Sequence, residues 1–261
     1  MIEVRHLTRT YLSRSSPKSK ESFVSVNDVS FSLLENTPYA LVGESGSGKS
    51  TLAMMLAAIL PPTNGEILLD GNNIWALSPK ELRLIHGEVQ LVLQNSQGAL
   101  DPRRRIYESI AEPLRKLRHL TRQEEQHTVH DILHKVQLQD DILMRFPSEL
   151  SGGQQSRVCI ARAMALAPRL IIFDESVSGL DVTVQKKVLD LLLDLRQEYQ
   201  STFLFITHDI DVALYMADNI FVMKEGKIVE SITDAHGYDD FNHPYSRELI
   251  GSLPPKTPYN R

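Results

Sequence analysis

Cysteine is nearly missing from this chain: Cys159 is the single one in 261 residues. One thiol excludes an internal disulfide and every zinc spacing built on Cys pairs, so a reducing compartment is the simpler expectation. Long apolar runs are lacking too. No window approaches the ~20 apolar residues that a membrane helix needs. The start, Met1-Ile2-Glu3-Val4-Arg5, lacks the continuous apolar stretch of a signal peptide, so the chain is expected not to cross a membrane itself. Nor is there an excess of positive charge. With 28 Lys and Arg against 33 Asp and Glu, the formal net charge is −5, which argues against bulk nucleic-acid affinity. What is present, 42% hydrophobic residues, supports a substantial core in one large or two small domains.

The most informative stretch is Gly43-Glu44-Ser45-Gly46-Ser47-Gly48-Lys49-Ser50, which fits G-x-x-x-x-G-K-[ST]. The apolar run Tyr39 to Val42 precedes it, and Thr51 to Leu60, free of Gly and Pro, follows and reads as helix. Strand, glycine-rich loop and helix come in the order a phosphate site needs. Glycines let successive N–H groups point inward at phosphate oxygens, and the helix N-terminus adds roughly half a positive charge. Lys49 would reach the outer phosphates, and the Ser50 hydroxyl would take a place on Mg²⁺.

Upstream, Ile2 to Thr10 and Phe23 to Leu34 alternate weakly and read as strands of a small antiparallel layer. Ser13 to Ser22 between them reads as a mobile hairpin loop, with Arg14, Lys18 and Lys20 as an alternative basic contact. Tyr11 ends the first strand, where its ring could stack on adenine or pack on the core. Downstream, Pro61-Pro62 closes the helix. Gly65 to Asp70 reads as strand, Asp70-Gly71 as turn, Pro79 to Ile85 as short helix, and Val89 to Leu93 as a strand ending at Gln94. A glutamine there sits where ligands bind in open α/β sheets.

From about Ile106 to Ala167 the period is helical, which predicts an inserted helical subdomain. Val129, Ile132, Leu133 and Val136 share one face; His127, His130 and His134 share the opposite one. Three imidazoles could meet a metal there, but a solvent-facing stripe explains them as well.

Three further motifs sharpen the reading. Leu150-Ser151-Gly152-Gly153-Gln154 opens a helical run, leaving N–H groups and a positive dipole end for a second anion. Leu170-Ile171-Ile172-Phe173-Asp174-Glu175 is an apolar strand ending in two carboxylates. Asp174 can hold Mg²⁺, and Glu175 can take a proton from the attacking water. Thr202 to Thr207 is another apolar strand, ending at His208-Asp209, where a histidine can reach a γ-phosphate or be structural.

The set Gly43 to Ser50, Gln94, Leu150 to Gln154, Leu170 to Glu175, Ser178-Gly179-Leu180-Asp181 and His208 resembles the nucleotide-binding subunits of ATP-binding cassette (ABC) transporters, in the family's order. The resemblance covers nearly the whole chain. It implies an α/β fold: a RecA-like P-loop NTPase core with a parallel sheet and an N-terminal antiparallel β layer at 1–93 and 168–232. A helical subdomain with the Gln94 loop and Ser151-Gly152-Gly153-Gln154 would fill 94–167, and a C-terminal tail 233–261. It also implies ATP and Mg²⁺, with Ser50, Gln94 and Asp174 at the metal, Glu175 as catalytic base, His208 at the γ-phosphate and Tyr11 on adenine.

Two such subunits would pair head to tail, as homodimer or heterodimer. Each ATP would then lie between Gly43 to Thr51 of one and the Ser151 to Gln154 segment of the other, with Asp181 at the interface. The chain would lie peripherally on the cytoplasmic face of the cell membrane, with membrane-spanning permease subunits and, indirectly, an extracytoplasmic solute-binding protein as the implied partners; nucleic acid is not among them. Arg103, Arg104 and Arg105 would lie near the membrane partner or form a solvated basic run.

Gly43-Glu44-Ser45-Gly46, Gln97-Gly98-Ala99-Leu100-Asp101-Pro102-Arg103 and the tail His243-Pro244-Tyr245-Ser246-Arg247-Glu248-Leu249 look like the oligopeptide and nickel importer branch. Asn95-Ser96, Ser176, Gly179 and Arg157-Val158-Cys159 depart from many members and are similar to nickel-importer ATPases. The four-cysteine tail of some peptide-importer subunits is missing, so no iron–sulfur cluster is expected. The cargo expected is nickel, a metal chelate or oligopeptides. An accessory ATPase of a cytosolic enzyme complex, such as one of phosphonate breakdown, is the alternative.

Overall fold

The structure, a computed structural model, describes residues 1–16, 19–93, 96–176, 179 and 181–252, with the backbone alone at 13–16, 19–21, 96 and 97. The chain divides into two compact units, Met1–Ser78 with Leu204–Arg261, and Pro79–Phe203.

The first unit opens with β1 (Ile2–Ser16) and β2 (Ser19–Leu33), followed by β3 (Pro38–Val42), α1 (Lys49–Leu56), β4 (Asn64–Leu69) and β5 (Asn72–Asn73). These build an antiparallel sheet of order β2-β1-β4-β5. Ile2, Val4, Leu7, Val26, Val29, Leu33, Ile67 and Leu68 of this sheet are buried. Both long strands exceed their expected lengths. Ser13 to Ser22 is not a loop: the ladder continues through Leu12↔Ser22, Ser13↔Glu21, Arg14↔Lys20 and Ser16↔Ser19. An antiparallel ladder is made of backbone N–H and C=O groups and needs no apolar partner there, so a polar stretch can extend it. Positions 17 and 18, and the side chains of Arg14 and Lys20, lie outside the described residues, and the basic-contact reading with them.

Helix α1 is shorter than the sequence predicts. It stops at Leu56, before Pro61, because Ala58 takes a left-handed φ of +56° and the Ile59 and Leu60 N–H groups fold back onto the Met54 carbonyl at 2.9 and 3.1 Å. That closure resembles the end usually made with glycine.

The second unit carries α2 (Pro79–Glu88), β6 (Val89–Val92), α3 (Ser96–Ala99), α4 (Ile106–Leu117), α5 (Arg122–Lys135), α6 (Gly152–Met164), β7 (Leu170–Asp174) and α7 (Val182–Tyr199). Strands β6 and β7 pair in parallel, and every residue of β7 is buried, as a strand covered on both faces requires. The helical stretch forms as its period predicts: Ile106, Ile110, Ala111 and Leu114 of α4 and Val129, Ile132 and Leu133 of α5 are buried. Thr121 and Glu124 cap α5 reciprocally, each side chain meeting the other's backbone N–H. Lines of sequence between α5 and α6 form two short 3-10 turns, Asp140–Met144 and Pro147–Glu149.

Strand β8 (Thr202–Thr207) carries the chain back into the first unit, where α8 (Ile210–Met216), β9 (Asn219–Lys224), β10 (Lys227–Ile232) and α9 (Pro244–Gly251) follow. Here the strand order is β10-β9-β3-β8; β3 and β9 run parallel, and β10 returns antiparallel. The apolar Tyr39 to Val42 run is thereby central, and it delivers Gly43 at a carboxyl end, where ligands bind in open α/β sheets.

Candidate functional site

The loop between β3 and α1 is preshaped by its glycines. At Gly43, with φ +157°, a Cβ would stand 2.2 Å from the Met223 carbonyl oxygen; at Gly48, with φ +108°, it would stand 2.2 Å from that of Ser25. Neither position admits a side chain, so the loop can lie flat on β9 and β2. Lys49, 5% exposed, turns back over the loop and donates from Nζ to the Gly43 and Glu44 carbonyls at 2.7 and 2.8 Å. The ammonium thus sits at the centre of the curl, where an anion's oxygens would displace those carbonyls. The first intrahelical bond of α1 is Leu52 N–H to Gly48 at 3.0 Å, so the N–H groups of Lys49, Ser50 and Thr51 precede the helical ladder and present its positive end.

Contacts from distant strands brace this loop, and sequence reasoning passed over them. The Gly226 N–H donates to the Ser47 carbonyl at 2.9 Å, the Gly226 carbonyl accepts from Asn27 N–H at 2.8 Å, and Ser25 Oγ donates to Thr51 Oγ1 at 2.9 Å. From the tail, the Tyr245 hydroxyl accepts the Glu44 N–H at 3.1 Å. The visible signal was slight: Glu225-Gly226 is a hairpin-type pair, and Tyr245 belongs to a tail motif with no assigned role.

Tyr11 lies within β1, opposite Phe23, rather than at the strand's end. The Arg9 guanidinium covers one face of its ring at 4.9 Å, and Arg9 Nη1 is itself held by the Pro61 carbonyl at 2.8 Å. One ring face is therefore taken by a cation, and the other is the face that could stack on a base. His208 is exposed at the end of β8, while Asp209 beside it caps α8 by accepting from the Asp211 and Val212 N–H groups at 2.9 and 3.3 Å.

In the second unit Asp174, 7% exposed, ends β7. Glu175 follows with a left-handed φ of +47°, a costly backbone for a non-glycine residue that turns its carboxyl out of the strand's alternation. Ser176 is buried, and its carbonyl accepts from Ser156 Oγ at 3.4 Å. Ser151 is the N-cap of α6: its hydroxyl accepts the Gln154 N–H at 3.3 Å, and its own N–H donates to Gln154 Oε1 at 2.9 Å. Gly152 and Gly153 supply the N–H groups ahead of the first helical bond, Gln155 to Ser151 at 2.9 Å. A Cβ at Gly153 would come 2.8 Å from Val184 Cγ1, so glycine lets α6 begin against α7. Arg157, pinned to the Gly153 and Gln137 carbonyls at 3.3 and 3.0 Å, has its pKa pushed down by burial but stays charged. Asp181 caps α7, accepting the Val184 N–H at 3.0 Å.

Gln94, Asn95, Ser178 and Leu180 lie outside the described residues. Within the histidine stripe, His130 Nδ1 and His134 Nε2 both lie 2.9 Å from Asp140 Oδ1, and His130 above all holds that carboxyl below its ordinary range. Among the described residues no group of three His, Cys, Asp or Glu could hold a metal ion. The three arginines are engaged internally: Arg103 with Asp101 at 3.1 Å, Arg104 with Glu112 at 2.8 Å, and Arg105 with the Met144 carbonyl and the Phe146 ring. No helix of the described residues is long and apolar enough to cross a membrane.

The family profile described as ABC transporter matches residues 26–178. The chain is 37% identical over 255 residues to the di/tripeptide transport ATP-binding protein DppF of Pseudomonas aeruginosa, covering 97% of this chain and 79% of that one. It is 41% identical over 233 residues to the probable peptide ABC transporter ATP-binding protein y4tS of Sinorhizobium fredii, covering 89% and 66%. With the glutathione import ATP-binding protein GsiA of Escherichia coli K12 it shares 38% over 260 residues, 99% of this chain and 42% of that one, so it spans less than half of that relative. Among solved structures, an ATP-binding cassette dimer in a post-hydrolysis state, bound to ADP and Pi, superposes with a TM-score of 0.80 at 29% identity, over 90% of this chain and 99% of that one. The α/β fold is thus the RecA-like cassette, and the chain belongs to the ABC transporter family as an ATP-binding domain with ATPase chemistry.

Proposed function

We propose that this chain energises a membrane importer of short peptides or of a peptide-like solute such as glutathione. The ATP half of the reading is carried by the Gly43 to Thr51 loop with Lys49 at its centre. The import half is supported by relatives at 37 to 41% identity that are named as di/tripeptide and peptide transporter ATP-binding proteins. The relatives reported are not named for nickel or for phosphonate breakdown, so neither that cargo nor the soluble accessory role has their support.

In this reading, residues 1–93 and 168–232 form the nucleotide-binding core, 94–167 the helical subdomain and 233–261 the tail. Backbone N–H groups from Gly46 to Thr51 bind the phosphates, and Lys49 exchanges its carbonyl partners for phosphate oxygens. Tyr11 offers the ring face opposite Arg9 to adenine. Ser50, Gln94 and Asp174 are assigned to Mg²⁺ by the family resemblance; the Ser50 hydroxyl and the buried Asp174 carboxylate are hard oxygen donors with the chemistry such an ion needs. Mg²⁺, when bound, neutralises charge on the phosphate oxygens. Glu175 accepts the proton of the attacking water, and His208 donates to the γ-phosphate. Ser151, Gly152, Gly153 and Gln154 serve the ATP of a second ATPase subunit, paired head to tail with Asp181 at the interface. Permease subunits hold the pair at the cytoplasmic face of the membrane, and an extracytoplasmic solute-binding protein delivers the cargo to them.

Glu175→Gln tests the chemistry. It should keep ATP binding and lose on the order of 10²- to 10⁴-fold in turnover, the usual scale for a general base; normal turnover would remove Glu175 from that role. Gentle detergent extraction of the tagged chain tests the setting. Co-purification of polytopic membrane proteins whose ATP turnover rises with a di- or tripeptide supports the import reading, and a soluble assembly overturns it.

A further inference from the structure

The tail motif Asn242-His243-Pro244-Tyr245-Ser246 has no place in the reading above, yet each of its residues has a physical task. Glu230 of β10 accepts the Asn242 and His243 N–H groups at 2.6 and 3.0 Å and the Ser246 hydroxyl. His243 Nδ1 caps α9 by accepting the Tyr245 N–H at 3.2 Å, and Pro244 begins the helix where no N–H is needed. This clamp fixes α9 on β10, and Tyr245, 3% exposed, is the side chain it aims. The ring lies under the Lys224 ammonium, 4.3 Å from the centroid, and the hydroxyl reaches the Glu44 N–H at 3.1 Å, across 201 residues of sequence.

We propose that Tyr245 is a positioning residue for the phosphate loop, holding it in the form that receives nucleotide. The proposal rests on the reading of Gly43 to Thr51 as the phosphate site. From inside the loop, Lys49 ties the Gly43 and Glu44 carbonyls; from outside, Tyr245 ties the Glu44 N–H. When Lys49 leaves those carbonyls for phosphate, the inner tie is lost and the outer one stays. Without it the loop gains freedom that nucleotide binding must remove, and that ordering cost lowers affinity. The tail thereby sets ATP affinity without touching ATP.

The test is equilibrium titration of the full chain with trinitrophenyl-ATP and Mg²⁺, alongside thermal melting, for the wild type, Tyr245→Phe, Glu230→Gln and Lys49→Ala. Phenylalanine keeps the ring under Lys224 and removes only the hydroxyl. Nucleotide affinity should fall about threefold to tenfold, the scale of the ordering cost of a few freed groups, while the melting temperature falls only by the few degrees that one lost hydrogen bond is worth. The ATP KM should rise by the same factor while kcat stays within about twofold of wild type. Glu230→Gln, which loosens the clamp and leaves Tyr245 intact, should move affinity the same way by a smaller factor. Affinity of Tyr245→Phe equal to wild type overturns the proposal, and so does a lowered melting temperature at unchanged affinity, which would mean packing alone. If Lys49→Ala also binds as the wild type does, the phosphate-site reading itself falls; if Lys49→Ala loses binding while Tyr245→Phe keeps it, only the tail's role falls.

Discussion

Replacing Arg115 by Ala should destabilise the protein by about 2–3 kcal/mol, more than an ordinary surface ion pair is worth. Arg115 grips Glu125 bidentately, Nε to Oε2 at 2.6 Å and Nη2 to Oε1 at 2.7 Å, and reaches Glu108 with Nη1 at 2.6 Å. The Tyr107 hydroxyl gives Glu125 a further bond at 2.9 Å. The two ends differ in burial: the Glu125 side chain is 10% exposed and that of Arg115 45%. Breaking a wholly buried pair costs about 3–5 kcal/mol, chiefly because a charge is left behind without its partner. Here water can follow the departing guanidinium, which lowers the figure, but the Glu125 side chain itself is largely buried. Thermal unfolding should show a drop of roughly 5–10 °C for a chain of this size. Arg115→Ala combined with Glu125→Gln should recover at least ~1 kcal/mol, since no buried charge is then stranded. The pair also predicts a pH dependence. Arg115 first, and Tyr107 after it, hold the Glu125 carboxyl below its ordinary 4.5 against burial, which raises it. A depressed folded-state pKa means stability that is complete above 4.5 and lost as pH falls through the folded value. Strict additivity in the double variant, or an acid limb unchanged in Glu125→Gln, would refute the reasoning.

Asp181 and Glu230 carry two further expectations. Asp181→Ala should cost ~1 kcal/mol in thermal unfolding through the lost α7 cap, whereas Asp181→Asn, an equally good cap, should not. Any change in nucleotide-driven pairing that Asn alone produces then reports the interface role. Burial pushes the Glu230 carboxyl up, but Ser246, Asn242 and His243 outweigh it and hold it below 4.5. Its clamp on α9 is therefore intact above 4.5 and released as pH falls through the folded value, the direction of a depressed carboxylate. Amide exchange over 244–251, corrected for its intrinsic pH dependence, should rise on acidification in the wild type and be pH-independent in Glu230→Gln.

Elements whose cause is local were legible in the sequence. Val89 to Val92, Leu170 to Asp174 and Thr202 to Thr207 are short apolar runs bounded by turn residues, and each is a strand within a residue of its expected limits. The loop at Gly43 to Ser50 was legible from its residue pattern, although the contacts its glycines answer, at Met223 and Ser25, are distant in sequence. Where the cause is backbone alone, the sequence was silent. Ala58 ends α1 in a conformation alanine rarely adopts, and polar residues carry the β1–β2 ladder past Leu12. The bond between Tyr245 and Glu44 joins residues whose nearness only the folded first unit creates.

Ser151 and Asp181 show a different limit. From sequence both read as residues for a second subunit, and in the structure both cap helices of their own chain. The two roles draw on one physical fact, the unpaired N–H groups of a helix start. A capping side chain satisfies the third of those groups in α6, Gln154, and leaves those of Gly152 and Gly153 ahead of the ladder. The cap therefore does not compete with an incoming phosphate for the same donors. By fixing the first turn it keeps the remaining donors parallel, and this is the form in which a second chain's nucleotide would meet them. Ser151→Ala should then weaken α6 and nucleotide-driven pairing together, while Ser151→Asp, which caps equally well, should restore the helix and repel the phosphate.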